Sequence, residues 1–281
     1  SKAGTAASFL QGETSTMAKF ATLASSSAGN STYLAASSGA LLIDAGISTR
    51  RIEAALSSFG EETRRICAVL LTHEHIDHVK GLPVFLKRTG AARYATKGVL
   101  EAVTRTMAVP AGCALHEVVP GEKFEAAGMN VCAFSTPHDS AASVGYRLET
   151  PDGHTFAVAT DLGTVTEEVA KGVSGAETVL LESNYDPFLL RMGPYPPYLK
   201  ARIASTERGH LANEDAASFL CGLLECGTTH ITLGHLSREN NNPALAGQTS
   251  LDALAAAGAR AGVDFTLTVA PYDEPGKLVR V

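Results

Sequence analysis

Between Cys67 and Leu82 the chain reads CAVLLTHEHIDHVKGL, a short apolar run that breaks into three histidines and an aspartate within six positions. The apolar half is too short and too uniform for a surface helix and fits a buried strand. Just past a strand end the backbone is free to turn. His73 and His75 can therefore project to one side, while Asp77 and His78 begin the next element and point back. Imidazole and carboxylate are suitable ligands for zinc, iron or manganese. Four such groups in six residues exceed what one ion with an open position uses, so two divalent ions are expected. A fold that carries this cluster must end a buried strand at it.

The flanking sequence supplies such a fold. After Met17, KFATLA, TYLAA and ALLID read as three short strands joined by Ser/Gly turns. A helix is predicted from Ser48 to Phe59, with Ser48 as its N-cap, Ile52, Ala55, Leu56 and Phe59 on one face, and Gly60 as its stop. The strand Cys67–Leu71, a helical stretch from Leu82, the strand ARYAT and a helix over Lys97–Met107 follow in β-loop-α order. From Ala114 to Ala159 strands alone are expected, as an antiparallel meander broken at Pro120-Gly121, Gly128 and Pro151-Asp152-Gly153. The α/β alternation then returns, with strands TVLLE and HITLG, helices Asn213–Cys226 and Leu251–Ala261, and a last strand near Phe265–Ala270. This order points to an α/β protein, a four-layer αββα sandwich of two sheets with helices outside. A doubly wound nucleotide-binding sheet competes, but no G-x-G-x-x-G or P-loop follows any strand.

Composition narrows the function. With 281 residues, 45% hydrophobic and 19% charged, the chain can bury a substantial core as one domain over 17–281. Residues 1–16 are small and polar and are expected to be a leader or an unstructured extension. A net charge of −6 argues against a broad basic face that coats duplex nucleic acid, though not against a local phosphate site. Five scattered cysteines without a C-x-x-C pair fit a reducing cytoplasm. No apolar run approaches the ~18 to 20 residues of a membrane span, so no membrane partner is expected.

THEHIDHVKGL resembles the signature loop of the metallo-β-lactamase fold, T-H-x-H-x-D-H-x-x-G. That resemblance implies further ligands: His138 in STPHDS, Asp161 in AVATDLG and His235 in ITLGHLS, each just past an apolar β run. Asp44, closing LLIDAG, matches the fold's first motif and is expected to hydrogen-bond a ligand instead of binding metal. His116, His154 and His230 match no motif. Two ions about 3.5 to 4 Å apart would acidify a bridging water and stabilise developing charge, with Asp77 orienting the nucleophile.

SSSAGNSTYL, ESNYDPFLLRMGPYPPYLKARIAS, GHLANEDAA and GHLSRENNNP together resemble the WalJ/YycJ/VicX branch of that fold, over essentially Met17–Val281. The branch implies a phosphodiesterase or nuclease, a 5'-to-3' exonuclease with DNA favoured over RNA as partner. His210 would then contact the scissile phosphate or protonate the leaving oxygen, and its place before a helix N-terminus favours an anion. Lys200, Arg202 and Arg208 lie close in sequence, and Ser237, Arg238 and Asn241 follow His235; all six are candidate substrate contacts. Ala212 stands where the branch typically has a serine, which removes a hydroxyl from this segment. The alternatives are a thioester or lactam hydrolase on the same metals, and a metal-stabilised binding module.

Overall fold

The computed structural model describes residues 17–281; the leader expected over 1–16 lies outside them. One sheet takes β1 (Lys19–Ser26), β2 (Gly29–Ala36), β3 (Gly39–Ile43), β4 (Ile66–Leu70), β5 (Ala92–Ala95) and β6 (Leu115–Glu117). The other takes β7 (Lys123–Ala126), β8 (Met129–Ser135), β9 (Val144–Glu149), β10 (Thr155–Ala159), β11 (Thr178–Glu182), β12 (His230–Gly234) and β13 (Thr266–Val269). A last strand, β14 (Val279–Arg280), returns to pair antiparallel with β1.

Three separate apolar cores define four layers. Phe20, Leu34, Leu41 and Ile43 face Met129, Val131, Tyr146 and Phe156 between the sheets, and Phe20 stacks on Phe156 with ring centroids 5.8 Å apart. On the outer face of the first sheet, Leu23, Tyr33, Leu42 and Val69 pack with Ile52, Leu56, Phe85 and Val99 from the helices. On the outer face of the second, Ala157, Val179 and Ile231 pack with Val169, Val173, Leu220 and Leu254. Strands covered on both sides must be apolar at every position, which is why ALLI and TVLL read as runs without alternation.

Three expectations need correction. The meander comprises β7–β10 only: β6 pairs parallel with β5 in the first sheet. The chain crosses between sheets at Val119-Pro120-Gly121, where Gly121 has φ 86°. The helix expected over Leu251–Ala261 spans Pro243–Ala256, because Asn242 caps it by accepting from the Leu245 N–H at 2.9 Å and Pro243 occupies its first turn. Asn-Pro after SRENN reads as a polar turn, yet it is a helix start. Short helices over Pro187–Met192 and Pro197–Ile203 were not expected, since their four prolines and one glycine mask a helical period.

Candidate metal centre

Strand ends deliver the side chains. The backbones of Asp44, Asp161 and His235 lie in the left-handed region, at φ 62°, 58° and 54°. Each follows an apolar strand, β3, β10 or β12, and each φ > 0 costs a non-glycine residue about 1 kcal/mol or more. Three such residues converging on one place mark a site where side-chain chemistry outweighs backbone comfort.

Close backbone contact fixes the histidine loop. Ala45 donates its N–H to the His78 carbonyl and Gly81 donates to Ala45, both at 2.8 Å. A Cβ on Gly46 would lie 1.6 Å from the Asp77 carbonyl oxygen, and one on Gly81 would lie 1.9 Å from that of Ile47. Glycine in IDAG and in HVKG is therefore required by the approach of the two loops.

Hydrogen bonds then aim the rings. Asp44 accepts from Thr72 N–H and Thr72 Oγ1, each at 2.8 Å, and from His78 Nδ1 at 2.7 Å. It thus hydrogen-bonds His78, one of the candidate ligands. With Nδ1 so held, His78 presents Nε2, which lies 3.4 Å from Asp161 Oδ2 and 3.5 Å from Asp77 Oδ2. His73 Nδ1 lies 3.0 Å from Thr72 Oγ1, and His138 Nδ1 donates to the Gly209 carbonyl at 3.1 Å. The Nε2 atom of His235 stands 3.4 Å from Asp161 Oδ1 and 3.7 Å from Asp77 Oδ2.

All seven candidate ligands come together. Donor atoms of His73, His75 and His138 lie within 4.8 Å of one another, as do those of Asp77, His78 and His235 and those of His73, His78 and Asp161. His73 Nε2, Asp161 Oδ2 and His235 Nε2 are buried with no hydrogen-bond partner. Orphaned buried polar atoms are rare in native structures, and these converge where divalent ions would satisfy all three. The donor set and its orphans fit a metal centre.

Charge couples the cluster tightly. Burial raises the Asp77 and Asp161 carboxyls, but the surrounding imidazoles outweigh it and hold both well below the usual carboxylate range. Burial lowers His235, yet Asp161, Asp77 and Glu182 push it up to about 10. His78 is likewise raised, because Asp161 and Asp44 outweigh its burial. His73, dominated by burial, moves the other way.

Three contributors lie in the quoted motif segments but were given no role from sequence. Glu182, fully buried at the end of β11, accepts through Oε1 from His210 Nδ1 at 2.7 Å and from His235 Nδ1 at 2.9 Å. Its Oε2 accepts from the Leu162 and Leu211 N–H groups. Burial raises it, but His210 and His235 hold it below its ordinary value. Glu74, between the first two histidines, accepts from Ser140 Oγ and Ala141 N–H, tying the signature loop to the loop of His138. Asn30 donates to Asp77 Oδ2 at 3.3 Å and lies 3.0 Å from His78 Nε2. Glu182 is a charge ending an otherwise apolar strand and the first residue of ESNYDPFLL, and those are the sequence signals that single it out.

A cavity of about 220 Å³ opens onto the cluster, lined by His75, Asp77, His138, Asp161 and His235 together with Arg202, Arg208 and His210. Arg202 pairs with Asp139 at 2.7 Å. The other candidate contacts do not line it. Lys200 donates to the Arg191 carbonyl, Arg238 pairs with Asp273 and lies over Tyr272, and Ser237 accepts from the Asn240 N–H. Asn241 is buried, donating to the Ser183 and Asn184 carbonyls and bonding Asn213. The helix after His210, Asn213–Glu225, starts from Ala212 without a side-chain cap and carries Glu214 and Asp215 in its first turn. Those carboxylates already answer its dipole, so positive charge at the cavity comes from Arg208 and from Arg202, whose charge is shared with Asp139.

Residues 40–231 match the family described as "Beta-lactamase superfamily domain". The chain is 36% identical over 249 residues to exodeoxyribonuclease WalJ of Streptococcus pneumoniae, covering 88% of this chain and 92% of that one. It is 34% identical to exodeoxyribonuclease YycJ of Bacillus anthracis, over 81% of this chain and 85% of the relative. The structure of Zn(2+)-bound PqqB from Methylobacterium extorquens superposes with a TM-score of 0.66 at 22% identity, over 92% of this chain and 99% of that one. The signature loop, the two packed sheets and this similarity agree: the chain belongs to the beta-lactamase superfamily, in its WalJ/YycJ branch.

Proposed function

We propose that the chain is a dinuclear metal-dependent phosphodiesterase, a 5'-to-3' exonuclease acting on DNA. The observation that carries the reading is the cavity itself, whose lining combines the ligand cluster with Arg202, Arg208 and His210. Two guanidiniums beside an imidazole recognise a phosphate, whereas an acyl group calls for apolar walls. The names of the WalJ and YycJ relatives agree.

His73, His75 and His138 would hold one ion, and Asp77, His78 and His235 the other, with Asp161 shared between them. Zinc, manganese or iron so held supplies Lewis acidity and an acidified water. The protein's own groups do the rest. Arg208 and Arg202 bind and orient the phosphate. Asp77, held anionic, accepts a hydrogen bond from the attacking water and sets its line of approach. Glu182 fixes His210 through Nδ1, which leaves Nε2 as the ring nitrogen that gives a proton to the departing oxygen. The chain would work in the cytoplasm, where its five unpaired cysteines stay reduced; among the described residues no helix is long and apolar enough to cross a membrane.

Turnover of bis(p-nitrophenyl) phosphate, a glutathione thioester and a chromogenic β-lactam by metal-loaded protein separates the readings. The phosphodiester alone should be hydrolysed; hydrolysis of the thioester or lactam alone would replace this assignment with an acyl hydrolase.

A further inference from the structure

The metal centre does not account for a second, larger cavity. It encloses about 510 Å³ against about 220 Å³ at the candidate ligands, and the two share no lining residue. It opens on the outer face of the second sheet, where the helix Glu167–Val173 packs. Alternation along β8 sends Val131 and Ala133 into the core between the sheets, so Cys132 and Phe134 face outward. Phe134 is only 7% exposed, because Gly145 on β9 and Gly172 on the helix close on it: a Cβ on either would lie 2.4 or 2.2 Å from its ring. Cys132, two residues earlier, is half-buried.

Strand register sets charge beside that thiol. Cys132 is the Cα partner of Lys123 on β7 and of Arg147 on β9. Neighbouring strands lie about 4.8 Å apart, so a cation flanks Cys132 on either side, and all three residues line the cavity. Arg147 is anchored, donating to the Ser174 carbonyl at 2.8 Å and the Gly175 carbonyl at 3.1 Å. Lys123 is exposed and takes part in no ion pair among the described residues. Lys171 adds a third cation; its pairing with Glu167 joins side chains 74% and 82% exposed, where water screens the attraction. Among the described residues, Glu168 is the one carboxylate in the lining. Three cations to one carboxylate reverse the sign of a chain whose net charge is −6.

An apolar floor with a few charged groups is the make-up of a small-molecule site, and the volume lies within the roughly 300–1,000 Å³ usual for one. The order of these features sets the chemistry of the ligand. An anionic head over Cys132 meets Lys123 and Arg147, and an apolar body running along β8 meets Phe134 about 7 Å further on. A bare inorganic anion would leave the Phe134 floor in water, and a neutral hydrocarbon would leave Lys123 unanswered. We propose that this cavity binds a small organic anion, a carboxylate or phosphate carried on a flat apolar body.

The probe is 8-anilinonaphthalene-1-sulfonate, titrated by fluorescence into metal-loaded protein, with N-phenyl-1-naphthylamine, the same body without the sulfonate, alongside. Saturable binding at one site per chain is expected, about tenfold tighter for the sulfonate. Lys123→Glu should weaken the sulfonate about tenfold and leave the neutral dye unchanged. Cys132→Trp, which fills the cavity, should abolish binding of both, and Tm should be unchanged in either variant. In the wild type, bound sulfonate should slow alkylation of Cys132 by iodoacetamide, read by mass spectrometry, and leave that of the exposed Cys67 and Cys226 unaltered. Equal affinity for the two dyes overturns the proposal, as does sulfonate binding that Lys123→Glu leaves intact. So does alkylation of Cys132 at one rate with and without the dye, a result that needs no variant to fold.

Discussion

Glu182 links the two halves of the site through a single oxygen, which accepts from a metal-facing histidine and from the candidate proton donor. Replacing it by Gln keeps the size but removes the charge that holds both Nδ1–H groups. Glu182→Gln should lower kcat/KM on bis(p-nitrophenyl) phosphate about 10- to 100-fold, the usual effect of losing such a supporting contact. The clustering of His73, His75, Asp77 and His78 was legible because H-x-H-x-D-H is a spacing, and spacing survives in one dimension. Glu182 was not, because what makes it special is the meeting of β11, β12 and the His210 segment. For the same reason Lys200 and Asn241 looked like substrate contacts by proximity in sequence, whereas their donors are spent on carbonyls elsewhere.

At the level of elements, the site depends on how closely two loops approach. Gly46→Ala would place a Cβ 1.6 Å from the Asp77 carbonyl, so the histidine loop must shift. Metal binding by this variant, measured by titration with a colorimetric chelator, should fall by at least tenfold even though no ligand has changed; wild-type affinity would show the approach to be dispensable. A second device lies on the outer face of the first sheet, where buried Glu61 accepts from Lys19, from Tyr33 Oη at 2.7 Å and from Arg65. Burial raises the Glu61 carboxyl, but these donors outweigh it and hold it below its ordinary value, and burial with Glu61 pushes the Tyr33 phenol up. A depressed carboxyl stabilises the fold above its unfolded value of about 4.3 and loses that contribution as pH falls through its folded value. Glu61→Gln should therefore lower stability at pH 7 by about 1–3 kcal/mol. Thermal melts from pH 7 to pH 3 should show the gap to wild type closing; a constant gap would deny the carboxylate this role. Strands were easier to read than helices here: covered on both faces, they declare themselves as apolar runs, while the Pro-rich helices over 187–203 hide their period.

Across the whole molecule, the two seven-stranded sheets deliver the candidate ligands from their strand ends: His73, His75, His138, Asp161 and His235 from loops, and Asp77 and His78 from the one-turn helix Ile76–Val79. Alternation of strand and helix made the layering legible, but it could not assign β6 to its sheet, since that depends on the chain staying beside β5 until it crosses at Pro120. The proposed activity requires these strand ends to hold metal and to take a nucleic-acid end. The direct measurement follows a 3'-labelled, 5'-phosphorylated single-stranded DNA with metal-loaded protein, after chelation, and after return of manganese or zinc. Stepwise shortening from the 5' end that stops on chelation and resumes with metal is the expected result. A strand left intact by protein shown to carry its metal would rule out the exonuclease activity.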